Sequence, residues 1–173
     1  MTLAEIKVGN TCKTETMEHI VLEHLPDGKT VCLSKDLVTS MAYDKKTGIY
    51  TNSNIRKYLN SIFLDKLSAE VGAENIFEHT VDLTSDEGNE KHGSVVDKVS
   101  LLTCELFRKY NEILEKYNPG RWWWLATPFA IEYWEDCARA VGNDGLVRYG
   151  YDFFNIGGGV RPFYILNSSI LVS

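Results

Sequence analysis

No apolar run in the 173 residues approaches the roughly 18 that a membrane-spanning helix needs, and residues 1–13 hold no apolar stretch of the secretory-leader kind. These absences predict a chain made in the cytoplasm, with no signal peptide and no membrane insertion. Basic residues are also scarce, 18 Lys and Arg against 24 Asp and Glu, for a net charge of -6. A surface of that sign lacks the phosphate attraction behind most nucleic-acid affinity, so nucleic acid is excluded as the expected partner. Only four cysteines occur, Cys12, Cys32, Cys104 and Cys137, with no Cys-x-x-Cys pair. Scattered in this way they read as reduced packing residues, neither a disulfide framework nor a zinc knuckle.

Catalytic motifs are missing too. His19, His24, His79 and His92 do not form the His-Glu-x-x-His spacing of a helical zinc site. The acidic run Asp82, Asp86, Glu87 and Glu90 places Gly88 one position late for a calcium loop and lacks the terminal bidentate Glu, so it reads as a solvated loop. Gly157-Gly158-Gly159 is followed by neither Lys-Ser nor Lys-Thr and reads as a flexible turn, not a phosphate cradle. There is no Gly-x-Ser-x-Gly elbow and no recognisable Cys-His signature. The expectation is a protein that is not an enzyme, with no cofactor, no metal and no calcium requirement.

Length and composition fit one globular domain over residues 1–173, since 44% hydrophobic and 24% charged residues lie near the average of folded domains. Residues 18–23 and 29–33 flank Pro26-Asp27-Gly28, which predicts a β-hairpin. From Ser53 or Asn54, either of which can cap a helix, Ile55, Tyr58, Leu59, Ile62, Phe63 and Leu67 recur at helical steps. Residues 77–83 and 95–102 predict strands, separated by a polar loop over residues 84–94. Thr103 then caps a second predicted helix carrying Leu106, Phe107, Tyr110, Ile113, Leu114 and Tyr117, which Asn118-Pro119-Gly120 stops. Beyond Gly120 the pattern is strand only, with a turn at Gly142-Asn143-Asp144-Gly145 and a closing strand over residues 160–166. Hairpins first, two helices next and antiparallel strands last make an α+β domain.

Trp122, Trp123 and Trp124 stand side by side, and strand alternation puts Trp122 and Trp124 on one face and Trp123 on the other, so at least one ring belongs in the core. Residues 129–156 differ in character. Tyr133, Trp134, Tyr149, Tyr151, Phe153 and Phe154 are interleaved there with Asp136, Arg139, Arg148, Asp152 and Asn155, and Ile156 closes the window. Aromatic anchors among adaptable polar groups on glycine-punctuated turns have the composition of binding loops. These twelve residues are the candidate ligand-binding set.

Trp123-Trp124-Leu125-Ala126-Thr127-Pro128, the Gly142–Gly145 turn, Gly159-Val160-Arg161-Pro162-Phe163 and Ile165-Leu166-Asn167-Ser168-Ser169 together resemble a bacterial and phage domain family. Its signatures are Trp-Leu-(Arg/Ala)-(Ser/Thr)-Pro and Gly-Val-Arg-Pro. Upstream, residues 53–60, 80–86 and 97–103 extend the resemblance over most of the chain. The family is similar to the variable proteins of diversity-generating retroelements, whose C-type-lectin-like scaffold displays a hypervariable C-terminal surface. The resemblance implies a C-type-lectin-like fold with antiparallel strands and two helices, residues 122–125 and 160–166 serving as framework strands. It also implies a protein or glycan ligand, including one on a cell surface, and a virion-associated or displayed location. In those systems template adenines are randomised, chiefly in Asn codons; such codons reach Tyr133, Asp136, Cys137, Arg139 and every residue of 149–158, but not Glu132, Trp134 or Glu135. Ala126-Thr127 stands where many relatives carry Arg-Ser. Two other readings remain open: an assembly module of a phage particle, and an enzyme resembling formylglycine-generating proteins, which needs a reactive cysteine pair that Cys104 and Cys137 would have to form.

Overall fold

Pro26-Asp27-Gly28 turns the chain between β2 (Glu18–Leu25) and β3 (Lys29–Ser34), with Gly28 at φ +77°, where a side chain would be strained. The computed structural model describes residues 1–129 and 137–173, and the side chains of residues 149–151 lie outside that description. The hairpin sits in the larger of two main sheets, in the order β1 (Thr11–Lys13), β2, β3, β13 (Phe163–Asn167), β5 (Ile76–Phe77), with β8 (Val99–Ser100) also paired to β13. The smaller sheet runs β11 (Val147–Asp152), β10 (Cys137–Val141), β9 (Trp123–Pro128), β12 (Gly159–Val160), β4 (Thr39–Ser40). A separate ribbon pairs β6 (His79–Asp82) with β7 (Ser94–Asp97). Among the described residues every strand pairing is antiparallel except that of β12 with β9, so the chain is an α+β protein.

Three predicted strands are each divided in two. The stretch over residues 77–83 breaks at Glu78, leaving β5 on the large sheet and β6 on the ribbon. Residues 95–102 break at Lys98 in the same way, into β7 and β8. The closing strand over residues 160–166 breaks at Arg161-Pro162, where the chain crosses from the small sheet into the large one. A strand can pair in two sheets only by changing direction between them, and the residue at each break is the corner.

The first helix begins where its cap predicts: Ser53 accepts a hydrogen bond from the Arg56 N–H at 3.2 Å, and α1 (Asn54–Tyr58) follows. It runs through a π turn (Leu59–Phe63) into α2 (Leu64–Val71). Asn60 accounts for that turn. Its side chain donates to Val99 O at 2.8 Å and accepts from Val99 N at 3.2 Å, so it pairs with β8 like a strand edge, and the widened helix accommodates the contact. Ile55, Leu59, Phe63 and Leu67 are buried as their spacing predicts, whereas Ile62 is exposed. Thr103 caps α3 (Cys104–Lys109), and after a kink at Tyr110 α4 (Asn111–Lys116) completes the second predicted helix.

The two helical units cover opposite faces of the large sheet. Val21, Cys32, Tyr164 and Leu166 pack with the first helix, and Ile20, Leu22, Val31, Leu33 and Phe163 with the second. Strand β9 alternates between the same clusters, Trp124 and Ala126 in one, Trp123 and Leu125 in the other, so the Trp run is buried on both sides. All four cysteines are buried, as is His19. Residues 172 and 173 pair with the N-terminal segment, Val172 exchanging hydrogen bonds with Met1 at 3.2 and 2.9 Å and Ser173 with Lys13 at 2.8 and 2.9 Å. Among the described residues no helix is long and apolar enough to cross a membrane.

His19 bonds Tyr164 Oη at 2.6 Å and Thr14 Oγ1 at 2.9 Å, and His79 bonds Ser100 Oγ at 2.8 Å; burial pushes both imidazoles down to about 4. In the unfolded chain each takes up a proton near 6.5. Stability is therefore fully present above that value and falls as pH drops toward about 4. Between about pH 7 and about pH 5 the expected loss is roughly 2 kcal/mol per histidine, less for the partly exposed His79. Urea midpoints that stay constant across this window would refute the assignment; His19→Gln should remove somewhat more than half of the slope.

Candidate functional site

The candidate surface is the segment that leaves β11 at Asp152 and returns to the sheet as β12. Backbone bonds pin it at both ends. Asp44 N donates to Phe153 O at 3.2 Å, Met41 N to Gly158 O at 2.9 Å, and Gly159 N to Trp122 O at 3.1 Å. Within it, Asn155 N donates to Asp152 O and Gly157 N to Asn155 Oδ1, both at 2.9 Å, which makes the segment two consecutive tight turns. Phe153 packs against the core, and its ring meets that of Phe154 edge-on at 5.4 Å. Phe154 is 61% exposed and Ile156 78% exposed, and the side chains of Asp152 and Asn155 are exposed as well. One aromatic anchors the loop and the other is presented.

Gly157-Gly158-Gly159 is not the flexible turn that its composition suggests. Gly158 and Gly159 are buried: a Cβ on Gly158 would lie 1.9 Å from Trp124 Nε1, and one on Gly159 would lie 2.4 Å from Leu37 Cδ1. Neither has positive φ, so glycine is needed for clearance, not for backbone freedom. Trp124 in turn donates from Nε1 to Met41 O at 2.9 Å and meets Trp122 edge-on at 4.8 Å. The base of the loop is thus a closed stack of glycine backbone on indole.

Arg139 and Arg148 have their charges engaged within the chain. Arg139 is mostly buried, with Nη2 at 3.1 Å from Asp86 and 3.7 Å from Glu87 and the guanidinium 4.6 Å over the Phe129 ring. It ties β10 to the acidic loop, which is therefore not merely solvated. Arg148 pairs with Asp144 across the hairpin turn. Tyr149 and Tyr151 lie in β11, but their side chains, like all of Tyr133, Trp134 and Asp136, fall outside the described residues.

A neighbouring loop escaped the sequence reading. Asp44, buried, accepts from Asn54 N at 3.1 Å and Lys46 N at 2.9 Å, and its own N–H meets Phe153 O. Gly48 lies directly on the Cys137 backbone, at 2.8 Å for a built Cβ. This loop sets exposed Lys45, Lys46 and Lys57 around one shallow depression beside the aromatic segment. The only signal in the sequence is a Lys-Lys pair in an acidic chain.

Burial at Gly158 predicts that Gly158→Ala costs roughly 1–3 kcal/mol through overpacking against Trp124, whereas Gly157→Ala, on the exposed side, costs under about 0.5 kcal/mol. Chemical denaturation of the two variants decides the point; equal effects would mean that the indole does not confine the loop.

A family model described as Domain of unknown function (DUF6273) matches residues 27–168. No curated protein and no solved structure matches the chain. The matched span runs from the turn before β3 to just past the end of β13 and takes in both helical units and the whole small sheet, so the chain belongs to the DUF6273 family.

Proposed function

We propose that the chain is a non-enzymatic ligand-binding protein with a C-type-lectin-like scaffold, a virion-associated or displayed variable protein of the diversity-generating-retroelement kind, and that its C-terminal surface engages a protein or glycan ligand, including one on a cell surface. The observation that carries this reading is the contrast within one loop. Gly158, Gly159 and Phe153 are locked against the sheet, while Phe154, Asn155 and Ile156 between them point away from it. Such a platform meets a ligand with its ordering cost already met by the fold, which favours affinity from a few side chains.

The scaffold supports the same reading. A large sheet with the last strand inserted between β3 and β5, and a smaller sheet carrying the loops, support a C-type-lectin-like arrangement. The signature residues serve as framework. Thr127 accepts from Cys104 N at 2.8 Å to cap α3, and Asn167 donates to Asn75 Oδ1 at 3.1 Å. Residues that hold the frame and residues that face outward are therefore separate sets.

The formylglycine-generating reading needs Cys104 and Cys137 as its reactive pair; both are buried, and burial pushes Cys104 up to about 11, which suppresses the thiolate such chemistry needs at that position.

The test is to sequence the gene's surroundings for a near-copy of the segment encoding residues 129–156, whose mismatches fall at template adenines, beside a reverse-transcriptase gene. Its presence establishes the diversified surface; its absence removes the retroelement assignment. In parallel, the pair Phe154→Ser and Ile156→Ser should leave stability within about 0.5 kcal/mol of the parent. If instead the pair dissolves a stable oligomer, the surface is a permanent assembly contact of the phage-particle kind.

A further inference from the structure

At the other end of the β10–β11 hairpin, a cleft opens between the hairpin turn and α4, remote from the loop described above. Phe107, Leu114, Trp123 and Val141 form its apolar walls, and Arg161 lines it as well. The cavity measures about 150 Å³, room for a body of about six carbons. Its roof is held: Asn118 Nδ2 donates to Asn143 O at 3.0 Å, and Gly145 packs so closely on Asn118 that a Cβ would lie 3.2 Å from Nδ2.

Two donors of cleft-lining side chains have no acceptor. Arg161 is 1% exposed; its Nε donates to Ser34 O at 3.0 Å, and its Nη2 to Lys35 O at 2.8 Å and Tyr117 O at 2.9 Å. The Nη1 amino group meets no partner among the described residues, and no carboxylate forms an ion pair with the guanidinium. Trp123, also 1% exposed, has its Nε1 buried without a hydrogen bond. The guanidinium lies 5.2 Å over the Trp123 ring, so both donors belong to one stacked pair. Buried donors are rarely left unmet, because each costs roughly 1–3 kcal/mol in lost hydration.

From this stack we infer that the cleft is a second binding site, for a small monocarboxylate with an apolar body. On entry the carboxylate parts the side chains that now close both donors off, meets the Arg161 and Trp123 N–H groups and supplies the counter-charge that the buried guanidinium lacks, while the hydrocarbon fills the space between Phe107, Leu114 and Val141. Burial already pushes Arg161 down to about 10, with exposed Asp36 the charge that acts in the opposite sense. The charges at the mouth are Glu115, Asp144 and, paired to the latter, Arg148. Glu115 is exposed and opposes an entering anion only through screened repulsion.

The experiment titrates the full chain with benzoate and isovalerate and, as neutral matches, benzamide and isovaleramide, following the Trp123 indole and Arg161 side-chain N–H signals by NMR. The expected result is a saturable shift of both signals with the acids at roughly 0.1–1 mM, at least tenfold weaker with the amides. Glu115→Gln, a surface change that leaves folding intact, should tighten the acids by about two- to fivefold and leave the amides unchanged. Shifts that do not saturate by about 20 mM, or that are equal for acids and amides, overturn the proposal and leave a cleft filled by water.

Discussion

Arg161 is the interaction on which the two-sheet arrangement depends. It stands at the corner where the chain leaves β12 for β13, and its guanidinium holds the carbonyls of Ser34 and Lys35 at the end of β3, that of Tyr117 after α4, and the face of Trp123 in β9. Four elements distant in sequence thus converge on one planar group. Taking an unpaired cation out of water costs several kcal/mol, and three charge-assisted bonds of roughly 2 kcal/mol each offset a sum of that order. The group therefore adds little net stability, but it makes other placements of the corner costly, because any of them leaves a buried charge or three carbonyls unmet. A lysine cannot hold three carbonyls with the same planar fork.

Around that corner the small sheet is held from within. Strand β9 buries side chains on both faces, so a shift of one residue would exchange Trp123 for Trp124 and put each in the wrong cluster. β12 lies beside β9 only because Gly158 and Gly159 let backbone rest on indole and on Leu37. The loop between β11 and β12 inherits this rigidity at its base and escapes it at its tip, where Phe154 and Ile156 touch little but solvent.

Local chemistry made much of this fold legible. Ser53 and Thr103 each present a cap ahead of an apolar face of helical period, and both helices start there, because capping is decided within one turn of chain. The Pro-Asp-Gly turn and the alternation of the three tryptophans were equally local. The breaks at Glu78, Lys98 and Arg161-Pro162 were not, since a strand that changes partners keeps its β character on both sides of the corner. The glycine triplet misled for a related reason: its composition says flexibility, whereas the need for it comes from Trp124, over thirty positions away in sequence and adjacent in space. Of the candidate residues picked out by mixed composition, Asp152, Phe154, Asn155 and Ile156 are exposed and Phe153 packs on the core, while Arg139, expected to face a ligand, pairs with Asp86, a partner that no spacing rule connects to it.

The hairpin β10–β11 links the two places proposed above as binding sites. Its strands run about 17 Å from the turn over the cleft to the end that feeds the aromatic loop. Arg148 and Asp144 brace the turn, while the other end is held through Phe153 to the Asp44 loop. The two ends rest on different partners, the cleft on Arg161 and Trp123 in the second core cluster, the loop on Trp122, Trp124 and Gly158 around the first. Because neighbouring tryptophans face opposite ways, side chains at the loop tip can change without touching the stack beneath the cleft. That separation is what a scaffold requires if one surface is to vary while the other keeps its chemistry.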